Sequence, residues 1–149
     1  MFSDRIEGKW ISFFAQAFSL CGVTAGDEVV ILSETQSRTI NVHLSELALV
    51  QLGARPAHVV ITTPAQSAPV PIRSTGASSS LQHHGPSMAA LCFGGLVVDC
   101  TLEGLLHAPE LPTILKSGTR VMMISNEHPE ILERVGNDEA LKERVKLGM

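Results

Sequence analysis

The chain has 149 residues, the length of one ordinary domain. Hydrophobic residues make up 44% and charged residues 17%, enough apolar side chain to offset ordering entropy and exclude a disordered tail. Aromatics at 4% without Tyr, and a net charge of −4 from 11 Lys and Arg against 15 Asp and Glu, offer nucleic acid neither a stacking platform nor a basic surface.

Residues 3–20 predict a helix. Ile6, Trp10, Phe13, Phe14, Ala17 and Phe18 recur at steps of three and four, and Asp4 with Glu7 fits a capping box. That aromatic stripe reads as a core or subunit-packing face. Gly22 stops the helix. Residues 28–33, with Val-Val-Ile-Leu at their centre, read as a buried strand. Ser37 or Thr39 can cap a second helix reaching about Leu52, with Gly53 just past its end. Residues 58–62, His-Val-Val-Ile-Thr, read as a second buried strand, so the pair and their helix make a right-handed βαβ unit.

Residues 63–86 change character. Pro64, Pro69 and Pro71 break regular structure, and residues 74–80 are small and polar. A loop this long after a parallel strand is where open α/β sheets place ligands. Residues 87–93 form a short helix with Pro86 in its first turn, and Leu96–Asp99 is a third strand ending in a carboxylate. Residues 109–115 give another helix closed by Gly118, and residues 119–125 a fourth strand. Residues 129–135 and 138–147 read as helical, the latter capped by Asn137 and charged in the order the helix dipole favours. The alternation predicts a single α/β domain over 1–149, a Rossmann-like parallel sheet of about four strands with helices on both faces.

Residues 1–5 carry mixed charge and do not read as a secretory signal, and no apolar run approaches the roughly 20 residues of a membrane span. Cys21, Cys92 and Cys100 are widely spaced, without a CxxC pair, and read as buried thiols in a reducing, cytoplasmic compartment. No G-x-G-x-x-G follows the first strand, and neither a phosphate-binding G-x-x-x-x-G-K-[ST] nor a G-x-S-x-G elbow occurs.

Four polar residues stand out as candidates. His83 and His84 end the long loop. Adjacent side chains on a strand point to opposite sides, so they suit substrate contact better than a shared metal. Asp99 sits at a strand's carboxyl end, where carboxylates line sites or cap the following turn. His107 lies near the same edge, where imidazole can take or give a proton near neutral pH, although its position alone reads rather as a surface helix cap. Glu34, Arg73 and Glu103 read as solvated loop charges.

Residues 96–99 (Leu-Val-Val-Asp), 105–110 (Leu-Leu-His-Ala-Pro-Glu) and 114–120 (Ile-Leu-Lys-Ser-Gly-Thr-Arg) carry a resemblance. Residues 129–134 and 142–145 extend it more weakly. The chain resembles the N-terminal domain of the 2,5-dihydroxypyridine 5,6-dioxygenase group, which shares its fold with the aminopeptidase T metallopeptidases. The resemblance implies a longer two-domain enzyme whose C-terminal domain supplies the metal ligands. In the dioxygenase branch it implies Fe(II) and a histidine from the Leu-Leu-His-x-Pro-Glu stretch acting as acid/base, here His107. In the peptidase branch it implies Zn- or Co-type metals.

Ring cleavage of a dihydroxypyridine-like aromatic is therefore the leading expectation, with His107 catalytic and Asp99, His83 and His84 contacting a small-molecule substrate. This chain alone is expected to bind no metal and to turn over nothing. The alternatives are a leucyl-aminopeptidase-type domain and a free-standing binding or oligomerisation domain. A homo-oligomer is expected, and neither nucleic acid nor membrane is expected as a partner.

Overall fold

Two short β-branched runs supply the centre of the molecule. In β1 (Glu28–Glu34), Val29 and Ile31 enter one apolar cluster while Val30 and Leu32 enter a second. In β3 (Leu96–Asp99), Leu96 and Val98 face the first cluster and Val97 the second. Successive side chains on a strand point to opposite faces, so both strands are covered on both sides. The computed structural model describes residues 6–64 and 77–130 of the chain.

Within those residues the order is α1 (Gly8–Leu20), β1, α2 (Thr39–Gln51), β2 (Arg55–Ile61), α3 (Gly85–Leu91), β3, α4 (Leu111–Lys116) and β4 (Arg120–Met123). The strands form one parallel sheet in the order β2-β1-β3-β4. Helices α1 and α2 feed the first cluster through Trp10, Phe14, Phe18, Leu44 and Ala48. Helices α3 and α4 feed the second through Leu91, Leu111 and Ile114. This is the α/β architecture expected from the alternating pattern.

Several boundaries differ from the expectation. Helix α1 begins at Gly8 with Glu7 in an extended conformation as its N-cap, making no side-chain bond; Ser3 and Asp4 lie outside the described residues. Ile6, expected on the buried stripe, lies before the helix and is 42% exposed. Of the stripe, Trp10, Phe14 and Phe18 enter the chain's own core, with Phe14 and Phe18 edge to face at 6.2 Å, while Phe13 and Ala17 are half-buried outside that cluster. Ser37 does not cap α2. Its hydroxyl accepts from the Glu34 N–H at 2.8 Å and donates to the Cys100 carbonyl at 2.7 Å, joining the ends of β1 and β3.

The second strand starts at Arg55, three residues early, and is not buried: Val60 is 61% exposed and His58 lies against Glu46. Among the described residues it is an edge strand paired to β1 alone, which is also why it tolerates Pro56. Helix α3 starts two residues early because the His84 ring accepts from the Ser87 N–H, with Pro86 in the first turn. The helices expected at 129–135 and 138–147 fall essentially outside the described residues, as does the middle of the long loop, 65–76. No helix among the described residues is long and apolar enough to cross a membrane.

Candidate functional site

The order β2-β1-β3-β4 puts a topological switch between β1 and β3, because the chain leaves β1 toward β2 and returns on its other side. Open α/β sheets bind ligands beyond the carboxyl ends of the strands at such a point. Here those ends carry two carboxylates, Glu34 and Asp99, at 6% and 0% exposure.

Asp99 spends both oxygens on the loop that follows it. Oδ1 accepts from the Thr101 N–H at 2.9 Å and hydroxyl at 2.5 Å, and Oδ2 accepts from the Leu105 N–H at 2.8 Å. Its backbone carbonyl accepts the Ile124 and Ser125 N–H groups beyond β4. Burial pushes the Asp99 carboxyl above its ordinary value, opposed by the Thr101 and Leu105 bonds. Glu34 holds the same loop from β1, accepting the Leu102 N–H at 2.7 Å. Burial raises its carboxyl too; the Leu102 and Thr63 bonds oppose that rise, and the charges of Asp99 and Glu103 add to it.

The loop so anchored carries His107. Residues 105–108 close a turn through Ala108 N–H to the Leu105 carbonyl at 3.0 Å. Leu105 is fully buried, whereas Leu106, at 57%, and His107 are exposed. The imidazole therefore projects from a turn fixed on its inner side. A second loop is tied to the first where the Ser78 N–H donates to the Gly104 carbonyl at 2.9 Å. On that loop Gln82 and His83 take positive φ, +45° and +55°. The exposed His83 ring lies 3.5 Å from Oε2 of Glu110, a carboxylate at 2% exposure.

A family profile described as NicX, 2,5-dihydroxypyridine 5,6-dioxygenase, matches residues 9–149. The chain belongs to the 2,5-dihydroxypyridine 5,6-dioxygenase family. Its fold is similar to the solved structure of 2,5-dihydroxypyridine dioxygenase from Pseudomonas putida, with a TM-score of 0.80 and 26% identity over 94% of this chain. The chain spans 40% of the length of that structure's chain. No curated protein matches it in sequence.

Within this member of the dioxygenase family, the expected site residues fall at different places along one edge. His107 is exposed on its turn, and Asp99 lies beneath that turn without exposed surface. His83 is exposed, while His84 serves as the cap of α3. A cavity of about 640 Å³ opens beside them, lined by Glu34, Thr35, Thr63, Ser78, Ser80 and Glu103 among others; none of the three histidines lines it. Among the described residues no three His, Cys, Asp or Glu side chains converge to hold a metal ion. Sequence reasoning missed that Glu34 and Glu110 are buried. For Glu34, the signal was its place at the end of an apolar run.

The three thiols are free, but Cys92 is only half-buried. Cys100 has no exposed surface, and burial pushes its thiol up to about 12, against the Ser45 contact and with the Asp99 charge. Only thiolate reacts. Alkylation of the native chain at mildly alkaline pH is therefore expected to label Cys92 first and leave Cys100 unlabelled until unfolding. Peptide mass spectrometry reads this, and labelling of Cys100 at the rate of a free thiol would contradict it.

Proposed function

We propose that this chain is one domain of a ring-cleaving dioxygenase acting on a dihydroxypyridine-like aromatic. The observation that carries the reading is the family match over residues 9–149. The described residues do not form an iron cage on their own. Non-haem Fe(II), held by a second domain beyond this chain, supplies the oxygen-activating chemistry in this reading.

His107 is proposed as the acid/base group. Its exposed ring stands on a turn pinned at Leu105, so it can meet a substrate held between two domains without losing its position. Imidazole has one nitrogen that accepts while the other donates. Taking the proton from a ring hydroxyl leaves an electron-rich ring, the form an electrophilic oxidant attacks. His83 is the second proposed substrate contact, because its ring is 72% exposed and faces Glu110. His84 is assigned the lesser part of shaping the loop, since its Nδ1 is engaged with Ser87.

The experiment is oxygen uptake by the two-domain enzyme loaded with Fe(II). Uptake dependent on 2,5-dihydroxypyridine, in proportion to loss of the ring chromophore, is the expected result. Absence of uptake with a correctly metallated enzyme would overturn the reading.

A further inference from the structure

We propose that Asp99 is a positioning residue that sets where His107 stands. The inference rests on the reading that His107 handles the substrate's proton. Asp99 lies at the end of a central strand, held in register with Leu32 of β1 and Met123 of β4. Its backbone is therefore fixed by a neighbouring strand on each side. Its two oxygens reach forward to two points on one loop. Oδ1 fixes Thr101, where the loop leaves the sheet, and Oδ2 fixes Leu105, the first residue of the turn that carries His107 at its third position. Glu34 holds Leu102 between them. The path from strand to imidazole is thus short: a carboxylate, one backbone N–H, and one closed turn.

A loop needs no buried carboxylate merely to turn, and burying one without exposed surface costs stability that a hydroxyl or amide would not. What a carboxylate adds is two acceptor oxygens in fixed geometry and charge-assisted bonds to both ends of the loop at once. Asparagine has a single acceptor oxygen. At position 99 its amide nitrogen would face either the Thr101 donors or the Leu105 N–H, donor against donor, and one tie would be lost. Misplacing a reacting group by about 1 Å can cost on the order of a hundredfold in rate.

The test is a double-substitution cycle in the Fe(II)-loaded two-domain enzyme, read as kcat and KM. Asp99→Asn is expected to lower kcat by about ten- to a hundredfold with little change in KM. In a His107→Ala background the same change is expected to have no further effect, because the group it positions is gone. Thr101→Val removes only the 2.5 Å hydroxyl bond and repeats the cycle with a smaller loss in kcat, which keeps the test intact should Asp99→Asn fail to fold. Equal losses in both backgrounds, or lowered thermal stability with unchanged kcat for the folded variants, would overturn the inference. Full activity of His107→Ala by itself would overturn the reading beneath it, an outcome that needs no Asp99 variant to recognise.

Discussion

On the proposed role of His107, replacing it with Ala in the proposed two-domain enzyme is expected to lower kcat by about 10²–10⁴-fold, the usual contribution of a positioned acid/base group. KM should change far less, because the substrate's other contacts remain. Stability should hardly change: the ring is exposed, and the turn around it is closed by the backbone bond from the Ala108 N–H to the Leu105 carbonyl. His107→Gln keeps a hydrogen-bonding side chain but cannot exchange a proton near neutrality, so it should be nearly as impaired. Steady-state kinetics on variants with wild-type iron content decide this. Recovery of full kcat by Gln would reduce His107 to a hydrogen-bonding contact.

The largest expected effect on stability lies on the other face of the sheet. Phe14→Ala in α1 should destabilise the chain by about 3–5 kcal/mol, the range for emptying a fully buried aromatic site. Phe14 has no exposed surface, meets Phe18 edge to face, and shares its cluster with Val29, Ile31 and Leu96 of the central strands. These strands also carry Glu34 and Asp99, so a cavity beneath them loosens the base on which the loop rests. Urea unfolding gives the number. A loss below about 1 kcal/mol would show that α1 is not packed on the sheet as described.

The central strands were readable because β1 and β3 are continuous apolar runs between turn signals, the pattern of a strand covered on both faces. β2 carries a similar Val-Val-Ile run and was misread as buried. Its exposure depends on having one neighbour instead of two, and strand order is not written in a local pattern. The start of α3 was misplaced because its cap is a histidine, outside the usual Ser, Thr, Asp and Asn signal.

At the site, the carboxylate of Asp99 was conspicuous from its place at a strand end. Its hydrogen-bond partners were not, because they depend on how residues 101–105 fold back over it. Glu110 was hidden as well: a residue read into the first turn of a short helix gives no local sign that it will be 2% exposed, with His83 of the preceding loop beside it. His107 drew its significance from the Leu-Leu-His-Ala-Pro-Glu resemblance alone; the structure places it exposed on its turn.

The central claim is that this chain works within an enzyme that opens an aromatic ring with dioxygen. Its most direct test is to run the two-domain, Fe(II)-loaded enzyme on 2,5-dihydroxypyridine under isotopically labelled dioxygen and weigh the ring-opened product. The account predicts that both labelled oxygen atoms appear in that product. A product carrying no label, or a preparation that leaves the ring intact and hydrolyses peptides instead, would contradict it.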